Sequence, residues 1–281
     1  PPIFFTPTTR HTRFALVSWA RRCVLRDRTS SEIPDFDLFR IMRFGSLPAI
    51  YKSNRPKSLL QSYVRTYLKE EIQAEGLVRR LQPFSLFLEL AGKTNTELIN
   101  YSNIAGDVGV SSNTIKEYYL ILEDTFIGSL LPPYKKTKKR KSVSMKKFYF
   151  FDIGISNALT GYWSIIEGTV EFGKIFEHFI FNEIKAYLRY NEDSRKICFW
   201  RSKNHQEVDF IVGDNLAIEV KTGKEVRSRD LKGLRAICEE ISFKYKIIVS
   251  LFEKKPRLME KQFLVLPYKT FLKQLWSNKF I

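Results

Sequence analysis

Apolar residues recur at helical spacing between Glu171 and Leu188, where Phe172, Phe176, Ile180, Ile184 and Tyr187 fall on one side. Such a stripe predicts an amphipathic helix with one face in a core. The period then shortens. KICFW (196–200), QEVDFIV (206–212) and NLAIEVK (215–221) read as strands, the last two joined by a two-residue turn at Gly213-Asp214. Side chains alternate along a strand, so Val208, Phe210 and Val212 are expected on one face and Glu207, Asp209 and Ile211 on the other. On the next strand Ala217, Glu219 and Lys221 oppose Ile218 and Val220. A helix over 229–240 and a strand over 246–252 follow. The order is helix, three strands, helix, strand.

Upstream, 58–78 has a helical pattern with Leu59, Tyr63, Tyr67, Ile72 and Val78 on an apolar side and a charged side from Lys69 to Glu75. FSLFLELAG, from Phe84, reads as one helix, and 99–125 as helix–turn–helix. Ser102 is the expected N-cap of a short helix through Asp107, and Gly109 supplies the turn. Ser111 or Ser112 caps a second helix with Ile115, Tyr119 and Leu122 inward. Ser112, Asn113 and Lys116 then face outward, where a helix in a DNA major groove would present them. Two strands around a basic hairpin come next, which completes a winged helix. Residues 1–31 show none of this agreement between period, caps and turns, and they are expected to pack poorly.

Charge sharpens the picture. The chain carries a net charge of +17 over 281 residues, enough length for more than one domain and a balance that points to a polyanion. The lysine-rich run 134–147 has no acid, and Lys138, Lys139, Arg140 and Lys141 at its centre are candidate phosphate contacts. A winged helix also serves as a protein-interaction or spacer module; the basic wing favours DNA. Cys23, Cys198 and Cys238 are widely spaced and read as reduced thiols of a cytoplasmic protein. No apolar run has the length of a membrane span. The AGKT run at 91–94 lacks the earlier glycine of a phosphate-binding loop, because that position is Phe87, so ATP is not an expected ligand.

The candidate chemistry lies in the hairpin. Asp209 and Glu219 supply two carboxylates and Lys221 an ammonium, with Glu177 on the preceding helix as a third acid. Carboxylates with water and a phosphate suit Mg²⁺. For Glu177 taken alone, a boundary glutamate reaching solvent is the simpler reading. The set and its element order resemble the αβββαβ core of the PD-(D/E)xK nuclease superfamily, with Val208-Asp209 in place of Pro-Asp. From about Glu32 onward the chain resembles AAA-type ATPases with a C-terminal DUF4143 domain. The matching stretches include FGSLPAIY (44–51), SYVRTYLKEEI (62–72), 99–134, KFYFFDIGISNALTG (147–161) and EVDFIV…AIEVK (207–221).

That resemblance implies an α+β, multi-domain chain. It comprises an atypical segment 1–31, a helical ATPase-lid remnant 32–80, a winged helix 81–150 and a PD-(D/E)xK-like domain 151–281. The ATPase core is absent, so residues 1–31 are expected to be a truncated or frame-shifted remnant. Two functions stay open: a DNA-binding, Mg²⁺-dependent nuclease using Glu177, Asp209, Glu219 and Lys221, or a non-catalytic DNA- or protein-binding remnant with the nuclease fold as scaffold. Whether the chain pairs with itself or with another protein is also open.

Overall fold

A computed structural model describes residues 36–68, 78 and 80–280. The expectations for residues 1–31, and for the charged side from Lys69 to Glu75, lie outside the described residues. The described chain is mixed α+β, with ten α-helices, a two-stranded sheet and a six-stranded sheet.

Short helices α1 (Leu38–Phe44), α2 (Pro48–Tyr51) and α3 (Pro56–Ser62) lead into a π-helical turn, Tyr63–Leu68. Proline opens α2 and α3, where a missing N–H costs nothing because first-turn donors have no intrahelical partner. α4 (Leu81–Lys93) buries Phe84, Phe87, Leu88 and Ala91. Gly92, Lys93 and Thr94 close this helix, so the residues directly before them are helical where a phosphate-binding loop would follow a strand. α5 (Tyr101–Val108) and α6 (Ser112–Asp124) are joined through Gly109, whose φ of 74° is left-handed. Asn100, rather than Ser102, caps α5: its Oδ1 accepts from the Asn103 N–H at 3.2 Å. Tyr101 and Ser102 are already helical, so the acceptor must come from the residue before them. Ser111 caps α6, accepting from the Thr114 N–H at 3.1 Å, and Ile115, Tyr119 and Leu122 point into the core.

β1 (Gly128–Leu131) and β2 (Lys147–Phe150) pair antiparallel, and α7 (Ile153–Thr160) follows. Ile155 and Leu159 of α7 join the core of α4 to α6, so the packing of the helical half runs past residue 151, the boundary expected from the sequence.

The second half opens with α8 (Val170–Tyr190), capped by Thr169 and apolar on one face as its period predicts. β3 (Ile197–Arg201), β4 (Glu207–Val212), β5 (Leu216–Lys221), a 3₁₀ turn at Ser228–Leu231, α9 (Lys232–Cys238) and β6 (Tyr245–Ser250) follow in the expected order. β7 (Arg257–Met259), β8 (Phe263–Pro267) and α10 (Tyr268–Trp276) extend it. The sheet runs β3-β4-β5-β6-β8-β7, parallel across β5, β6 and β8 and antiparallel elsewhere. α8 and α10 share the core on one face of the sheet, and α9 packs on the other with Trp200, Val208 and Ile248. Leu38, Ile41 and Met42 of α1 join the α8 core, so the two halves share apolar packing.

Two expectations need correction. The β4–β5 connection has three residues, 213–215, and β4 carries a bulge. Between the pairs Trp200↔Val208 and Cys198↔Ile211, β4 advances three residues against two on β3. The extra residue breaks the alternation. Val208 therefore packs on the α9 face with Ile211, while Phe210 and Val212 pack on the α8 face.

The basic segment is not a free wing. After β1 it runs along β3: the Tyr134 N–H donates to Phe199 O at 2.6 Å, and the Val143 N–H to Arg201 O at 2.9 Å. Trp200 Nε1–H donates to Thr137 Oγ1 at 3.2 Å. The Glu240 carboxylate, just past α9, accepts the backbone N–H groups of Lys138, Lys139 and Arg140 at 2.7–2.9 Å. These bonds fold a sequence that reads as a solvated charge run onto the second half.

Candidate functional site

β5 places Glu219 and Lys221 two residues apart, and Lys221 Nζ donates to Glu219 Oε1. Phe210 pairs with Ile218, so Asp209 and Glu219 sit one step further along the same two strands. Asp209 Oδ2 accepts the Val220 N–H at 2.7 Å, a side chain in the place of a ladder bond. The bulge on β4 is what frees that carboxylate to reach its neighbour. Asp209 and Glu219 are 8% and 6% exposed, an unusual depth for two adjacent acids. Glu219 Oε2 is buried and has no hydrogen-bond partner among the described residues.

Glu177 faces this pair from α8. Its Oε1 accepts from Tyr149 Oη at 2.5 Å and from Lys147 Nζ at 3.1 Å. Lys147 Nζ also meets Glu207 Oε1 at 2.7 Å, and Arg201 holds the other Glu207 oxygen at 2.8 Å. Gly233 of α9 lies so close to the Glu207 carbonyl that a Cβ there would come within 1.6 Å of the oxygen. The absence of a side chain at 233 lets α9 settle on β4 beneath the cluster.

The electrostatics follow from burial. Desolvation lifts the Asp209 carboxyl well above its ordinary range, and the Glu219 and Glu177 charges add to it. Burial lifts Glu219 too, against the pull of Lys221. Burial alone would raise Glu207, but Lys147 and Arg201 hold it below the usual glutamate value. Desolvation opposes the charge on Lys147 and Lys221, yet the surrounding carboxylates overcome it and keep both protonated far into alkaline pH.

The structure thus brings Glu177, Asp209, Glu219 and Lys221 together. It leaves Ser112, Asn113 and Lys116 on α6 of the helical half, with Lys116 Nζ 5.8 Å from the Tyr101 ring centroid. Lys138, Lys139 and Lys141 are exposed on the docked segment. The Arg140 guanidinium, expected among the phosphate contacts, is paired here with Glu239, Glu240 and the Ala236 carbonyl. Lys147 is the residue that sequence reasoning missed. It ends a lysine-rich run, and only its place next to the apolar FYFF strand set it apart.

Residues 172–271 match the family model described as Domain of unknown function (DUF4143). Residues 35–164 match a second model, Domain of unknown function (DUF8612). No curated protein and no solved structure matches the chain. The two matches divide between α7 and α8, where the packing also changes. Glu177, Asp209, Glu219 and Lys221 all fall in the DUF4143 region, whereas Lys147 and Tyr149 come from the DUF8612 region. The cluster is therefore assembled from both.

Among the described residues no three His, Cys, Asp or Glu side chains stand close enough to cage a metal ion. The donor set still fits Mg²⁺, which keeps most of its waters and needs only one or two carboxylates besides phosphate oxygens. Glu219 Oε2, buried and unpartnered, is the oxygen such a cation would use. No helix among the described residues is long and apolar enough to cross a membrane.

Proposed function

We propose that the chain is a DNA-binding, Mg²⁺-dependent nuclease of the PD-(D/E)xK type. The observation that carries this reading is the unpartnered Glu219 Oε2, buried next to Asp209 and backed by Lys221. Asp209 and Glu219 would hold the cation, which supplies charge neutralisation at a phosphodiester and acidifies a bound water. Lys221 brings a fixed positive charge to the same place, suited to holding a phosphate oxygen or orienting the attacking water. Glu177, fixed by Lys147 and Tyr149, is a positioning residue at the rim. The net charge of +17 and the α5–α6 pair, read as the helix–turn–helix of a winged module, favour DNA as the polyanion. ATP has no place in this reading.

The test is incubation with supercoiled, linear and branched DNA, with Mg²⁺ or EDTA. Cleavage in Mg²⁺ alone is expected, with Lys221→Met slower by about 10²-fold and Asp209→Asn and Glu219→Gln without activity. A second reading, a non-catalytic scaffold that binds DNA or protein, draws on Lys147, whose buried ammonium pairs with two partly buried acids as a structural cluster would. DNA that stays intact in Mg²⁺ with every substrate would favour that second reading.

A further inference from the structure

β5 does not end at the carboxylates. Past its last residue, a cavity of about 260 Å³ is lined by Lys221, Lys224, Arg227 and Arg229 together with Glu225 and Asp230. Four cationic side chains thus face two acids, and one of the acids is already engaged: Asp230 Oδ2 accepts the Arg227 backbone N–H at 2.8 Å. The side chains of Lys224, Arg227 and Arg229 hold no carboxylate among the described residues, although Arg195, Arg201, Arg235 and Arg257 each hold one. Like charges gathered around one concavity repel each other until an anion enters. Lys221 belongs to both places, since its Nζ pairs with Glu219 while its side chain lines the cavity. An anion held there lies directly beside the candidate cleavage site.

We infer that this cavity is a subsite for a backbone phosphate of a nucleic-acid strand, the one adjacent to the phosphodiester held at Asp209 and Glu219. The position of the cut rests on the nuclease reading above; the binding of the strand does not. Arginine forks and lysine point charges are the groups that recognise phosphate, and they read no base. The subsite therefore confers affinity and register on any sequence. The same chemistry would take a free phosphate, so the test must separate the two sources.

The experiment uses the full chain and a labelled single-stranded oligonucleotide in EDTA, read by fluorescence anisotropy across a salt titration. Replacing the exposed Lys224, Arg227 and Arg229 together by Ala should weaken binding on the order of 10-fold, and should lower the salt slope by about 0.7 for each phosphate of the single strand that is no longer neutralised. Unchanged affinity and slope in the triple variant overturn the inference. A second measurement needs no variant for its main arm: inorganic phosphate should compete with the oligonucleotide on the wild-type protein. If phosphate raises the wild-type melting temperature while the triple variant and wild type bind the oligonucleotide alike, the cavity takes a free anion and the strand assignment fails. A wild-type chain that cuts nothing, yet loses oligonucleotide binding in the triple variant, sinks the nuclease reading and keeps the subsite. A triple variant that binds as before, in a chain that does cut DNA, does the reverse.

Discussion

His178 shows how far a single residue depends on its surroundings. It is 1% exposed on α8, and its ring lies edge-on to Tyr149. Nε2 lies 2.6 Å from Phe150 O and Nδ1 3.1 Å from Asn95 Nδ2, so the neutral ring donates from Nε2 and accepts at Nδ1. Burial lowers its pKa from 6.5 to about 4, with the nearby Lys185 charge acting in the same direction. The unfolded chain then binds the extra proton more readily, so stability is present above pH 6.5 and is lost as pH falls toward 4. The loss is roughly 3 kcal/mol at 1.36 kcal/mol per pH unit. Asp152 runs the other way: burial raises its pKa to about 6, so its contribution fades as pH rises from about 4 to 6. Denaturant titrations at pH 4 to 7 should isolate the histidine as the difference between wild type and His178→Gln: the variant lacks the histidine's rise, so its stability changes less positively with pH than that of the wild type; equal slopes would contradict the assignment. Lys147→Met should destabilise by about 3 kcal/mol, because it strands two acids in a mostly buried cluster. A thermal or urea shift of that size at pH 7 checks it. The acids of the site were legible as residue types on β4, β5 and the α8 stripe, although the bulge on β4 breaks the alternation expected to place Asp209. Lys147 was not, because its partners lie 30 and 60 residues away and local pattern holds no trace of them.

At the scale of elements, α8, β3 to β6 and the pair α5–α6 were readable because each carries its apolar period, or the turn at Gly109, in its own local sequence. The bulge on β4 was not: VDFIV alternates too loosely to reveal an added residue, and the displacement comes from pairing with β3. The docking of the basic segment was hidden for a related reason. Its charge is local, but what holds it is Glu240, about 100 residues further on. One carboxylate there accepts three backbone donors, and hydrogen bonds to a charged acceptor are stronger than those between neutral groups. Glu240→Ala should therefore loosen 135–141 from the sheet. Limited trypsin digestion should cut within that stretch several-fold faster in the variant, at lysines that are exposed in both proteins; an unchanged rate would mean that the bonds to β3 alone hold it. Gly233→Ala should lift α9 off β4, since the added Cβ would meet a backbone oxygen that has nowhere to move. A fall in melting temperature should accompany it.

The whole molecule is tied across its two halves by apolar packing of α1 on α8, by Lys147 between Glu177 and Glu207, and by the Asn95–His178–Phe150 bonds. Such sharing predicts one cooperative unfolding step. Trp163 reports on the helical half, and Trp200 and Trp276 on the sheet half. Fluorescence of a Trp163→Phe variant and of a Trp200→Phe/Trp276→Phe variant should give the same urea midpoint as far-UV circular dichroism; two separated midpoints would show that the halves melt independently. The docked basic segment has one more effect at this scale. An outermost strand normally offers a row of unsatisfied amides and carbonyls to any passing chain. On β3 that row is already matched by residues 132–143, and the opposite margin is only the three residues of β7. Among the described residues, copies of this protein thus have little sheet-edge backbone left through which to zip into a continuous sheet. At high concentration the described sheet should therefore not seed fibrils through its edges.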